Sequence, residues 1–364
     1  MKKQYIIPIF VPHLGCPNDC IFCNQKIISG KTKMITKEDV KNTIESHLES
    51  IEKITLSDIQ GAPKKEDFKI EIAFFGGSFT GIEVEVQKEL LEVAYEYIKN
   101  KKVQSIRIST RPDYIDKKIL KMLKKYKVKT IELGVQSTNN YVLEKAGRGH
   151  TFEDVKIASK LIRRYRFNLG HQIMIGLPES TNLDEVNTAK QLIKLKPKMV
   201  RIYPVLVIKG TQLEKEYNKG EYKPLTVVQA VETSKELVRL FKKKKIDVIR
   251  IGLQPTETIS SPDDKESEVV AGPFHPAFRQ LVESSLWYDV IVEKIKKLNV
   301  KVQEAEVLVN PYDINNVIGH RKENIKKLKE LYELDLIVKA DEKIKQGNSQ
   351  IVVTKTYKDF KEDK

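Results

Sequence analysis

Short apolar runs at 4–11, 69–75, 103–109, 128–135, 167–175, 199–204 and 247–253 have the length of strands. Between them lie stretches with helical spacing at 36–51, 82–98, 116–125, 152–165, 183–195 and 227–245. This alternation restricts the fold more than any other feature of the chain. Strand–helix–strand repeats with short connections pack as parallel strands side by side, covered by helices. Six strand–helix units and one further strand predict an α/β fold, a partial (β/α)6 barrel of the TIM type. In such a barrel the reactive groups sit on loops at the C-terminal ends of the strands. The helix at 36–51 begins with an N-cap residue, Thr36, and has Asp39 three positions on.

The loop after the first strand holds all three cysteines of the chain, Cys16, Cys20 and Cys23. An odd, clustered set argues against a disulfide framework and for a reducing compartment, the cytoplasm. In the C-x3-C-x2-C spacing three thiolates can converge on one centre. Zinc would take a fourth ligand, and His13 stands three positions before Cys16. A [4Fe–4S] cluster would keep its fourth iron open to a small molecule. Both readings stand on the cysteines alone.

The other motifs also follow strands. Gly76-Gly77-Ser78-Phe79-Thr80 follows the second and Ser109-Thr110-Arg111-Pro112 the third. Gly134-Val135-Gln136-Ser137 closes the fourth, with Gly147-Arg148-Gly149-His150 on the next loop. Gln172, Met174 and Gly176-Leu177-Pro178 end the fifth, and Tyr203 and Lys209 mark the sixth. Paired glycines let backbone approach a ligand closely. Pro112 holds Arg111 extended, so that it can reach across the barrel mouth to a carboxylate. Taken singly, a tight turn or a surface salt bridge accounts for these residues equally well.

The cysteine spacing resembles the signature of the radical S-adenosylmethionine (SAM) enzymes. In that family the open iron binds the methionine moiety, and an electron from the cluster cleaves the sulfonium to a 5′-deoxyadenosyl radical. The runs Phe75–Thr80, Glu132–Ser137, Arg148–His150 and Tyr203–Pro204 are similar to the radical half of the Elongator catalytic subunit, over residues 5–255. This resemblance implies a [4Fe–4S] cluster on Cys16, Cys20 and Cys23, and S-adenosyl-L-methionine as cosubstrate. It also implies that Gly76, Gly77, Gln136, Arg148 and Met174 line the SAM pocket. Gln136 would bond ribose hydroxyls, Arg148 would meet the carboxylate, and the residues around Met174 would cover the adenine. Ser109 and Arg111 join the cofactor-binding candidates by their place after the third strand. A flavodoxin- or ferredoxin-type electron donor is a further expectation. The sequence departs from Elongator's subunit in its compact cysteine loop and in lacking any likeness to the acetyltransferase domain. Two alternatives remain. Anaerobic coproporphyrinogen oxidases share several of these patterns, but this chain has Asn24-Gln25 and Gln172 where they carry a further cysteine and an aspartate. A zinc-stabilised RNA-binding protein without catalysis is the other.

The remaining chain predicts a hinge and an amphipathic helix at 256–299, with Trp287 docking that helix on the barrel at 1–255. A small α+β domain follows at 300–364. Its order is similar to a KH-type RNA-binding domain, with Gly319-His320-Arg321-Lys322 where that family has Gly-x-x-Gly. The formal charge of +15 favours a polyanion, tRNA or another RNA. Residues 301–364 carry 13 basic and 12 acidic side chains, so the excess sits on the barrel. No apolar run approaches the ~20 residues of a membrane span, so no membrane partner is expected. The first residues read as a strand, not a signal peptide. Tyr203 and Lys209 are candidates for facing the substrate by position only.

Overall fold

The computed structural model describes residues 3–11, 20–24, 34–55, 68–255, 258–298 and 300–357. Seven parallel strands form one curled sheet: β1 (Lys3–Val11), β2 (Phe68–Gly76), β3 (Ser105–Thr110), β4 (Val128–Gln136), β5 (Asn168–Ile175), β6 (Met199–Pro204) and β8 (Asp247–Ile251). They lie in chain order, which is the partial barrel expected from the alternation. A short antiparallel pair, β7 (Val207–Ile208) and β9 (Val269–Ala271), adds to the loops after β6.

Each strand has two faces, because successive side chains alternate. One face is apolar: Ile70, Ile72 and Phe74 on β2, Ile106 and Ile108 on β3, Ile131 and Leu133 on β4, all buried. The helices α1 (Lys37–Thr55), α2 (Val84–Lys99), α3 (Lys117–Lys125), α5 (Phe152–Arg164) and α6 (Asn182–Lys194) bury matching residues such as Leu91, Leu120, Ile162 and Leu192. The opposite face is polar. It carries Glu71, Arg107, Ser109, Glu132, Gln172 and Arg201, one layer of hydrogen-bonded side chains.

Helix starts follow their side chains. Thr151 with Asp154, and Thr181 with Asp184, form reciprocal capping boxes on α5 and α6. Thr36 and Asp39 make the same exchange before α1, as the sequence implied. Helix ends are less ordinary. The turns into β3, β4, β5, β6 and β8 each pass through the left-handed region, at Lys101, Lys127, Arg166, Lys196 and Lys245 (φ +55° to +64°). Glycine is the usual occupant of that position, and an L side chain there costs on the order of 1 kcal/mol. The bond from Phe167 N to Ile162 O, five residues back, shows how tightly one such turn closes.

The chain divides into two compact units, residues 1–226 with 237–274, and residues 227–236 with 275–364. The second unit holds α9 (Phe278–Lys296) and a sheet of order β11–β10–β12, from β10 (Val302–Val309), β11 (Asp335–Ala340) and β12 (Ser349–Thr356). Two helices, α10 (Ile314–Ile318) and α11 (Glu323–Tyr332), connect β10 to its parallel neighbour β11. Trp287 of α9 was expected against the barrel. In the structure it is part of this unit's own core, with Ile291, Val307, Val309 and Leu328. Gly319 ends α10 at φ +81°, and a Cβ there would stand 2.9 Å from Asn324 N. Lys322, at the place of the second KH glycine, keeps a left-handed backbone (φ +63°).

Candidate active site

Residues 20–24 of the cysteine loop are held by loops that follow β4 and β6. Ile21 N donates to Ala146 O (3.2 Å), just past α4 (Asn140–Lys145). Leu213 N, in α7 (Gln212–Asn218), donates to Ile21 O (2.8 Å), and Asn24 Nδ2 donates to Lys209 O (3.0 Å). Ile21 and Phe22, like Met174, pack against the cluster of Val142, Leu177 and Val205. Cys23 N donates to Cys20 O (2.9 Å), so the two described cysteines lie one turn apart. Cys20 is 4 % exposed. Cys16 and His13 lie outside the described residues.

Arg148 reaches this turn. One guanidinium nitrogen lies 3.2 Å from Cys20 Sγ and the other donates to Gly134 O (2.8 Å). Its Nε, buried, has no partner. Gln136 stands beside it on a bulge of β4, with φ +67° and its buried Oε1 without a partner. A Cβ on Gly134 would come within 3.1 Å of Gln136 Nε2 and 3.4 Å of Arg148 Nη2, so a glycine leaves room for both. His150 bonds Val135 O through Nε2. Burial, then the charges of Arg148 and Arg111, push its pKa down to about 3 and keep the imidazole neutral.

The other expected residues fall at the same end of the sheet, with more ordinary partners. Gly76 (φ +95°) lies so close to β1 that a Cβ would stand 2.6 Å from Val11 O, and Gly77 N donates to that oxygen (2.8 Å). The pair clasps β1 to β2. Ser78 bonds Thr110 (2.8 Å) and accepts from Arg111 N (3.2 Å), joining the tips of β2 and β3. The Arg111 side chain forms a two-point ion pair with Asp113 (3.0 and 2.9 Å). Ser109 accepts from Gln172 Nε2 (3.1 Å). Met174 is half-buried against the same apolar cluster that Ile21 and Phe22 cover, and Lys209 donates to Ser267 O (2.8 Å).

Two features were not anticipated. The first is the layer below the tips. Glu71 and Glu132 both bind Arg107 (2.7 and 2.6 Å), and Glu132 also binds Arg201 (2.5 Å). Burial alone would raise the Glu132 carboxyl; Arg201 and Arg107 outweigh it and hold it below the usual carboxylate range. Arg201 lies over the Phe75 ring (5.0 Å) and within 3.5 Å of Tyr203 Oη. An Ile-Glu-Ile or Ile-Arg-Ile alternation reads as a half-exposed strand, and only the curl of the sheet turns it inward. The second is the clamp on the β5 tip. Gly176 N donates to Glu185 and Tyr222 Oη donates to Gly176 O (2.6 Å). Burial raises Glu185 to about 7, against the bonds from Gly176 and Ser180.

Residues 10–192 match the radical SAM superfamily, and residues 197–288 match a radical SAM C-terminal domain. The chain belongs to the radical SAM superfamily. An uncharacterized protein of Methanocaldococcus jannaschii is 34% identical over 62% of this chain and 68% of its own length. A tRNA uridine(34) acetyltransferase of the same organism is 32% identical over 45% of this chain, which spans about a third (34%) of that relative. The archaeal Elp3 of Methanocaldococcus infernus, solved with its N-terminus deleted, shares the fold. Its TM-score is 0.58 at 23% identity, covering 81% of this chain and 64% of that one. The chain is thus an Elongator-like radical SAM enzyme, with a [4Fe–4S] cluster and SAM as its cofactors. The residues present fit those groups: two soft cysteine sulfurs one turn apart, a guanidinium beside one of them, and an amide oxygen and a guanidinium nitrogen buried without partners.

Proposed function

We propose that this radical SAM enzyme modifies RNA, most specifically tRNA, with Cys16, Cys20 and Cys23 as cluster ligands. The cluster, when bound, supplies the electron that splits SAM into methionine and a 5′-deoxyadenosyl group able to take a hydrogen atom. The observation that carries the site is the pairing of Arg148 with Cys20, beside the orphaned amide of Gln136. In this reading Arg148 binds the SAM carboxylate next to the cysteines, and Gln136 Oε1 accepts from a ribose hydroxyl. Gly76 and Gly77 hold the loop over the β2 tip. Met174, with Ile21 and Phe22, offers apolar cover and limits water.

The polar layer of Glu132, Gln172, Arg201 and Tyr203 forms the wall that a substrate ring would meet. Its donors and acceptors, with Arg201 over the Phe75 ring, suit a nucleobase. The tRNA relative and the +15 charge support an RNA substrate. Acetyl transfer is not part of the proposal. A flavodoxin or ferredoxin is the proposed source of electrons.

Mass spectrometry of tRNA nucleosides from cells with and without the gene tests this reading. Loss of one modified nucleoside with accumulation of its precursor is expected. Identical nucleoside sets, together with porphyrinogen turnover by the purified enzyme, would overturn it.

A further inference from the structure

We infer that the barrel end opposite the cysteines is a docking surface for the phosphate backbone of a structured RNA. This rests on the RNA reading above and extends it to residues remote from the site. The five turns entering β3, β4, β5, β6 and β8 all lie at the N-terminal edge of one parallel sheet. In the windows 99–102, 124–129, 163–166, 194–198 and 242–245 there are 17 Lys or Arg residues and no Asp or Glu. All 17 are exposed. Among the described residues only Lys99 of this set makes an ion pair, with Glu96.

Favourable interaction with helix dipoles asks for a cation or two in the last helical turn. It does not ask for one at the left-handed position beyond it, where glycine fits better. Yet Lys101, Lys127, Arg166, Lys196 and Lys245 occupy that position in all five turns. A residue kept against its own backbone preference five times on one face is kept for its side chain. Adjacent turns are tied into one surface: Lys124 Nζ donates to Tyr165 O (3.1 Å), Arg163 to Leu195 O (3.5 Å), and Asp247 N to Lys198 O (3.1 Å). Between α3 and α5 a groove of about 320 Å³ opens, lined by Lys117, Lys124, Leu161, Arg164 and Tyr165. Cations flanking one aromatic ring suit a phosphate track with a base or sugar against the ring.

The nine-residue strand β4 separates this face from the cysteine end by ~30 Å at 3.3 Å per residue. An RNA that touches both must have a rigid arm of that span. An acidic redox protein seated here would stand that far from the cysteines, so the surface fits RNA and not the electron donor. The windows expose no large apolar side chain to enter a lipid surface.

The test is a five-site variant, Lys101→Gly, Lys127→Gly, Arg166→Gly, Lys196→Gly and Lys245→Gly, in the reconstituted full chain. Glycine relaxes each backbone, so thermal stability is expected to hold or rise, and RNA-independent release of 5′-deoxyadenosine to stay unchanged. Affinity for a mixed tRNA preparation is expected to fall at least about tenfold at 0.15 M salt. The slope of log K against log salt should lessen by roughly 3.5 to 4.5, from five lost phosphate contacts. Unchanged tRNA affinity and slope would overturn the proposal. So would loss of binding to phosphatidylserine vesicles with tRNA binding intact. Retained tRNA binding through this face by a wild-type protein inert toward SAM would sink the catalytic reading and leave the surface standing.

Discussion

The two ends of the barrel use the left-handed backbone in opposite ways. At the cysteine end, Gly76, Gly147, Gly149 and Gly176 take positive φ; Gln136 and Glu179 are the exceptions, and Gln136 has a buried, unpartnered oxygen. At the far end, all five positions are Lys or Arg, exposed to solvent. Glycine marks turns whose geometry must be tight. A side chain held in that geometry marks a group used for something other than packing. The comparison separates residues that build the fold from residues that the fold tolerates for their chemistry.

Cys20→Ala should give the largest effect. It should abolish iron and sulfide incorporation at the cysteine end while the far-end surface still binds tRNA. Retained cleavage of SAM by the variant would contradict the ligand assignment. Between the two ends, Arg107→Met leaves Glu71 and half of Glu132 buried without their cation. A loss of about 3–5 kcal/mol in urea denaturation is expected, because the remaining charge is uncompensated. A change below about 1 kcal/mol would mean that the layer is not a unit.

The clamp on the β5 tip gives a pH test. The folded pKa of Glu185, about 7, lies above its ordinary value of 4.5. The folded state therefore holds that proton more tightly. Its contribution to stability is full below pH 4.5 and is lost as pH rises through 7, up to about 3 kcal/mol. Relative to Glu185→Gln, the wild type should lose that much between pH 4.5 and 8. His150 and His171 act in both proteins and cancel in the difference. Parallel denaturation curves would remove the assignment.

Gln136→Gly sharpens the contrast most finely. Relief of the left-handed strain should stabilise the protein by about 0.5–1 kcal/mol. Affinity for SAM should fall about tenfold, as an amide hydrogen bond of roughly 1.4 kcal/mol is lost. Gain of stability with unchanged SAM affinity would make Gln136 a structural relic of its turn.

Much of this was readable before any coordinates. Strands β4 to β6 begin and end within a residue or two of the apolar runs, because burial on the helix side dictates every second residue. The strand-tip motifs converge because all tips of a parallel sheet share one end. Glu71, Arg107, Glu132 and Arg201 were not readable as a layer. Their pairings span 25 to 69 residues of sequence, and no local pattern states which face of a half-polar strand turns inward. Trp287 went astray for a related reason. An amphipathic helix shows that it has an apolar face but not which residues cover it, and here Trp287 joins the core of the second unit. The left-handed lysines were invisible because the signal for that backbone is glycine, and glycine is absent. Arg111 pairs with the carboxylate of Asp113, two residues along the chain.

The most direct measurement is anaerobic reconstitution of the full chain with iron and sulfide, followed by incubation with SAM and dithionite. A brown protein with iron and labile sulfide that releases methionine and 5′-deoxyadenosine is the predicted result. Bound zinc without sulfide, and intact SAM, would contradict it.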